Sequence, residues 1–281
     1  MIDGIVTNLL VKNMSFNMVN KFNINIFVSV ITLALLVIFP QFIYGQECDL
    51  ELEMEIGVAN FRNAQFKEAL PHFEKISKVL SQTQDEEVLS VIYFFCQSCK
   101  LYSGDIAGSI SYGEKAINFN TLSREYQIQV LKSLLIAYDE LALQDKCDNT
   151  IEKINLLWKT YKVSDVIETL VSYYTSHEEY TKVISREADL QYFDNIDVST
   201  EIDQTSNTIQ LNTIYMCMAK AFSELKDYKK SISYLAKCLE TLTPYTQENK
   251  STIYLMMADN YNKLGDKKLA LKYQKLALET E

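Results

Sequence analysis

Glycine and proline are almost missing from this chain, seven and three among 281 residues. An average protein carries about 12% of the two together. Hairpins, bulges and phosphate-binding turns depend on them, which argues against an all-β fold, a collagen-like fold and a dinucleotide-binding α/β fold. A basic surplus is missing too. There are 27 Lys+Arg against 37 Asp+Glu, a net charge of −10, with no basic stripe. Nucleic-acid binders owe most of their affinity to neutralised phosphates, so a nucleic-acid partner is not expected. What the chain does have is core material: 48% hydrophobic residues, including 18 Tyr and 13 Phe. That excludes global disorder and leaves a mainly helical globular protein.

Residues 26–39, IFVSVITLALLVIF, carry no charge. Lys12 and Lys21 precede them, Pro40 ends them, and QFIYG follows. A basic n-region, an apolar h-region and a small residue before a cut describe a secretory leader, so residues 1–45 read as a signal peptide cut after Gly45. Extended to Gly45 the stretch reaches the length of a span, which needs about 20 residues, and an uncleaved membrane anchor stays open. A start at Met14 or Met18 would leave a more compact leader. No small residues precede Cys48, so there is no lipid-attachment box. Cleavage would leave 46–281 with a charge of −11, because Asp3, Lys12 and Lys21 go with the leader. On either reading the remainder lies across a membrane from the cytoplasm: exported, periplasmic or envelope-associated in a bacterium, or anchored in the inner membrane.

Six stretches of the remainder repeat one pattern: 63–76, 103–116, 144–157, 177–190, 225–238 and 264–277. Each opens on a short polar turn, often with Asp or Gly, followed by a packing residue, a small residue and apolar positions three to four residues on. The small positions read as Ala69, Ser109, Thr150, Val183, Ser231 and Ala270, at steps of 40, 41, 33, 48 and 39. Upstream of each turn runs a second apolar stretch of helical period. Tyr254, Met257, Ala258 and Tyr261 fall on one face of such a helix. The unit is therefore helix, tight turn, helix. One such pair cannot bury its own apolar stripe, but stacked neighbours can.

This pattern resembles the tetratricopeptide repeat. The last unit matches through Tyr254, Met257, Ala258, Tyr261, Gly265, Ala270 and Ala277. The one before it matches through Tyr215, Met218, Ala219, Phe222, Tyr228, Ser231 and Cys238, and the first through Gly57, Phe66, Ala69, Phe73 and Ile76. The units centred on Thr150 and Val183 depart most. The resemblance covers about residues 50–281 and implies an all-α, right-handed superhelical solenoid of about six helix-turn-helix repeats. Residues 194–208, with four acids and no base, read as a loop between the fourth and fifth repeats.

Signals of catalysis are scarce. His72 and His177 are the two histidines and stand in no metal-ligand spacing. Cys96 and Cys99 form a CxxC inside a predicted helix with no strand before it, where buried cysteine acts as a small hydrophobe. No nucleophile elbow, phosphate loop or kinase set appears. The expectation is a protein that is not an enzyme, takes no cofactor or metal, and meets the membrane only through an uncleaved leader. The resemblance implies that the first helix of each pair lines a concave groove. Its register assigns Met54, Val58, Phe61, Phe94, Leu101 and Tyr102 to an apolar end of that groove, suited to a peptide or protein segment held by aromatic anchors. The expected function is a non-catalytic interaction scaffold of the envelope. The alternative is an anchored sensory ectodomain acting through a separate partner.

Overall fold

The computed structural model describes residues 47–83, 86–161, 163–193, 201–244 and 246–280, so the expected leader lies outside the described residues. Every regular element among them is a helix: α1 (Glu47–Arg62), α2 (Phe66–Thr83), α3 (Glu86–Tyr102), α4 (Ile106–Ile117), α5 (Arg124–Glu140), α6 (Gln144–Tyr161), α7 (Ser164–Ser176), α8 (Tyr180–Ile184), α9 (Glu187–Leu190), α10 (Glu201–Glu224), α11 (Tyr228–Glu240), α12 (Asn249–Lys263) and α13 (Lys267–Leu278). They form six hairpins, α1/α2, α3/α4, α5/α6, α7/α8–α9, α10/α11 and α12/α13. The residues divide into two compact bodies between Leu157 and Trp158. In the first, α2 packs on α3 and α4 on α5; in the second, α10 packs on α7 and α8, and α11 on α12.

One turn, repeated six times, makes the hairpins. Ala64, Gly104, Ala142, Glu178, Lys226 and Gly265 have φ between 53° and 85°. The residue after each donates its N–H to the carbonyl five residues back: Gln65 to Asn60, Asp105 to Lys100, Leu143 to Tyr138, Glu179 to Tyr174, Asp227 to Phe222 and Asp266 to Tyr261, all at 2.8–2.9 Å. This left-handed cap satisfies carbonyls at the end of the first helix. In three turns the same residue also caps the second helix. The carboxylates of Asp105, Asp227 and Asp266 accept from the N–H of Gly108, Lys230 and Leu269 at 2.9, 3.1 and 3.0 Å.

Glycine holds the left-handed position twice. At the other four, a side chain raises the energy by about 1–2 kcal/mol. Replacing Ala64, Ala142, Glu178 and Lys226 together by glycine should therefore raise the melting temperature, at roughly 0.5–1 kcal/mol per site after glycine's entropic cost. A lowered melting temperature would mean that those side chains stabilise the turns by more than their strain.

The turn fixes the register of the repeats and corrects one of them. The residue five positions after each left-handed turn is buried: Ala69, Ser109, Cys147, Val183, Ser231 and Ala270 are each at most 5% exposed. The small position of the third unit is thus Cys147, not Thr150. Its turn, Leu141-Ala142-Leu143, has neither Gly nor Asp to announce it. The acidic segment 194–208 is corrected in part. Residues 194–200 lie outside the described residues, but α10 begins at Glu201, so 201–208 are helical. The physical reason is visible in the sequence: Ile202 and Ile209 stand two helical turns apart, and acids are favoured at a helix start.

The second helix of the fourth unit is broken. Ser185 turns its hydroxyl onto the Lys182 carbonyl at 2.7 Å, a local bond that competes with helix continuation. The chain resumes as α9, where Asp189 accepts the Trp158 indole N–H at 3.1 Å.

Polar ties link successive units. In the first body the Tyr112 hydroxyl donates to Glu74 at 3.0 Å, and Tyr138 donates to Glu114 at 2.9 Å, while Lys146 pairs with the same Glu114 at 2.7 Å. In the second body Tyr234 and Lys230 converge on Glu187 at 3.1 and 2.9 Å. Asn260 donates to Ser231 and accepts from Ser223, both at 2.8 Å. A lysine four residues past the turn also lies over the aromatic ring four residues before it in three units: Lys146 over Tyr138, Lys182 over Tyr174 and Lys230 over Phe222, at 4.7–5.2 Å from the ring centre.

Candidate functional site

The six residues assigned to the apolar groove all belong to the first body. Met54, Val58, Phe61 and Leu101 are buried, and Phe94 and Tyr102 are half-buried. Phe61 meets Phe66, Phe73 and Phe95 edge-on, with ring centres 5.2–6.3 Å apart. Phe94 lies against Phe95 and Tyr126, and Tyr102 against Phe66. The structure thus joins Phe61, Phe94 and Tyr102 into one aromatic cluster around α1, α2, α3 and α5. Of the six, Phe94 and Tyr102 keep the most exposure.

Carrying the turn register onto the other first helices adds one position in the third unit that the sequence did not single out, and keeps Leu255, which the family register already assigns to the groove, in the last. In α5, six residues before its turn, Ile136 is 44% exposed, the equivalent of Val58 and Ser98. The slipped frame of the third unit hid it. In α12, Leu255 is 50% exposed at the position equivalent to Met54 and Phe94. In the second body the face is mixed, with Met216 half-buried at the same position of α10 and Lys220, Asp259 and Lys263 beside it in the register. Lys263 pairs with Asp259 at 2.8 Å, and the hydrogen bond to Asp259 holds the Lys263 ammonium above its ordinary pKa. On α7, Asp165 is bridged to Ser164 by Gln210.

The histidines are engaged in packing contacts. His72 shares Glu53 with Lys75, at 2.5 and 2.7 Å, tying α2 to α1. Those two partners, the Lys75 bond first, hold the Glu53 carboxyl below its usual range. His177 donates from Nδ1 to the Tyr173 carbonyl at 2.9 Å and stacks on the Tyr173 ring. Cys96, Cys99, Cys147, Cys217 and Cys238 are buried free thiols. Burial pushes Cys99 up to about 12 and Cys217 to about 11, and raises Cys96 and Cys238 further. A reactive CxxC needs a depressed thiol pKa, and Cys96–Cys99 has the opposite. Among the described residues no group of His, Cys, Asp and Glu could hold a metal ion, and no helix is long and apolar enough to cross a membrane.

The tetratricopeptide repeat pattern matches residues 213–241 and 251–281, which are the α10/α11 and α12/α13 hairpins. No curated protein matches the sequence. Among solved structures, MamA of AMB-1 is 16% identical over 68% of this chain and 91% of its own, with a TM-score of 0.48. MamA of MSR-1 is 14% identical over 68% and 95%, with a TM-score of 0.47. A tetratricopeptide repeat protein from Parabacteroides merdae is 11% identical over 83% and 93%, with a TM-score of 0.42. The last two hairpins thus match the tetratricopeptide repeat family, and one turn geometry is shared by all six hairpins.

Proposed function

We propose that this protein is a non-catalytic interaction scaffold of the bacterial envelope, which holds an extended or helical protein segment against the exposed face of its first helices. The tetratricopeptide repeats support a protein partner. The observation that carries the finer reading is the presence of large exposed apolar side chains on first helices, Ile136 six residues before its turn in one body and Leu255 ten residues before its turn in the other. Phe94 and Tyr102 supply half-buried rings on α3 of the first body, where Met54, Val58, Phe61 and Leu101 are buried. Rings that are half-buried already, Tyr102 above all, are the anchors that carry most of the energy of an interface once a partner covers them. Export rests on the apolar leader, with cleavage after Gly45 as the working expectation.

A photo-crosslinking residue at Ile136 should capture a partner in cells, and one at Leu255, tested by itself, should do so in the other body. One at Leu156, which is 63% exposed on a second helix, should not. Equal capture from all three positions would refute a first-helix binding face. N-terminal sequencing of the mature protein should begin at Gln46, and an intact leader would replace export by cleavage with anchoring.

A further inference from the structure

The two ends of the repeat series expose the two halves of the contact by which one unit sits on the next. Twelve residues before the turn, five units place Ile92, Val130, Val166, Ile214 and Ile253, and every one is 0% exposed. Eight residues before the turn they place Cys96, Leu134, Leu170, Met218 and Met257, none above 3%. In α3, α5, α10 and α12 these positions belong to helices that pack on the unit before. The first unit has Leu52 and Ile56 there, apolar as in the others, yet 52% and 37% exposed.

The last unit shows the converse. Leu271, six residues past its turn, is 67% exposed, whereas its equivalents Leu70, Ile110 and Ile232 are half-buried. Leu278, thirteen past the turn, is 73% exposed, whereas Ser77 is buried and Ile117 half-buried. Each of those four helices but the last is followed by a packed neighbour.

Charge distinguishes the two faces. The α1 sequence ECDLELEMEIGVANFR carries five acids and one arginine, with Glu51 and Glu55 exposed beside Leu52 and Ile56. The α13 sequence KKLALKYQKLAL carries four lysines and no acid, and Lys267, Lys268, Lys272 and Lys275 are all exposed around Leu271. In a chain of net charge −10 such a concentration of lysine on the terminal helix is a local reversal of sign.

We infer that the occupant of each end is the opposite end of a second copy of this chain: α1 of one molecule sits on α13 of another and continues the run of repeats across the junction. The apolar positions are those that already mediate unit-on-unit packing, and the opposite charges fix the order of the ends. Such a contact is heterologous, and each added copy leaves one free head and one free tail for the next. Long-range attraction between acidic and basic faces makes the association fall with ionic strength.

Sedimentation velocity on the full chain tests this. At low salt the mass should rise with concentration through successive multiples of 32.4 kDa and return toward one copy at high salt. A head-blocked variant, Leu52→Lys with Ile56→Lys, and a tail-blocked variant, Leu271→Glu with Leu278→Glu, alter exposed side chains, and their helicity by circular dichroism should match the parent. Each alone should stay monomeric. Mixed, they should form a dimer and nothing larger, because one free head meets one free tail. A parent that stays monomeric at low salt up to about 1 mM, the weak end of specific affinity, overturns the inference. So does loss of association in only one variant, which would signify a symmetric contact. A third contrary result is association by the chain beginning at Gln46 but not by the full chain, since the chain's own leader would then cover the end.

Discussion

Between pH 9 and pH 11 the unfolding midpoints of both bodies should fall steeply. The cause is thiol ionisation. Cys96 and Cys99 in the first body and Cys217 and Cys238 in the second are buried, and desolvation raises all four, Cys99 to about 12 and Cys217 to about 11. In each body the two thiols also oppose each other's ionisation, Cys99 acting on Cys96 and Cys217 on Cys238. In the unfolded chain a thiol ionises near pH 8.5. A folded pKa above the unfolded one leaves the stabilisation intact below that pH and removes it as pH rises toward the folded value. In that window each thiol removes about 1.4 kcal/mol per pH unit. Two thiols per body over two units of pH remove roughly 5 kcal/mol, comparable with the whole stability of a domain. Tyr112 and Tyr138, raised first by burial, add to the loss above their ordinary range near 10.

The measurement is chemical denaturation at a series of pH values. Cys99→Ala lowers stability at neutral pH by leaving a cavity, but the slope against pH should flatten by about 1.4 kcal/mol per unit whatever the starting stability. The thiolate absorbance of the folded protein should stay absent at pH 9. Its appearance there, or a stability that is flat to pH 11, would show that these thiols are solvated in the folded state.

The second large effect concerns Gly113. A Cβ built there would lie 2.4 Å from the Gln97 side-chain nitrogen and 2.7 Å from Leu134 Cδ2. Gln97 is 0% exposed, its amide donating to the Val130 carbonyl at 3.2 Å, and its Oε1 has no hydrogen-bond partner among the described residues. The first unit solves the same packing with the sizes reversed. Gly57 occupies the position of Gln97, and Phe73 the position of Gly113, with a Cβ at Gly57 coming to 3.1 Å from the Phe73 ring. In both units one helix contributes a hydrogen where the other contributes the bulk.

Gly113→Ala should accordingly destabilise the first body by about 1–3 kcal/mol, as overpacking does, despite alanine's better helix propensity. Adding Gln97→Ala should recover most of that loss, with a coupling of about 0.5–3 kcal/mol in the double-mutant cycle. Additive losses would mean that the two residues do not share one space. Gln97→Met should be neutral or stabilising, because it fills a similar volume and removes an acceptor that costs about 1–3 kcal/mol when buried without a partner.

Much of this architecture was legible from residue order. Scarcity of glycine and proline, a helical apolar period and polar turns containing Asp or Gly pointed to six stacked hairpins, and every repeat position but the third fell in register. Legibility ended where the turn chemistry was ordinary. Ala142 takes a left-handed conformation between two leucines, and nothing in Leu-Ala-Leu advertises it. The third unit was therefore read three residues out of step, and Ile136 was missed with it. The 201–208 stretch was read as loop because its acids outweighed two widely spaced isoleucines.

Sequence by itself determined the helices, their pairing and the turns, because period, caps and backbone dihedrals act within a few residues of one another. Tertiary structure alone decided which apolar side chains are covered. Leu52 and Ile92 occupy the same register position on similar helices, yet one is 52% exposed and the other 0%. Burial depends on whether a neighbouring unit supplies surface, and that neighbour lies some forty residues away or in another molecule, beyond the reach of any local pattern.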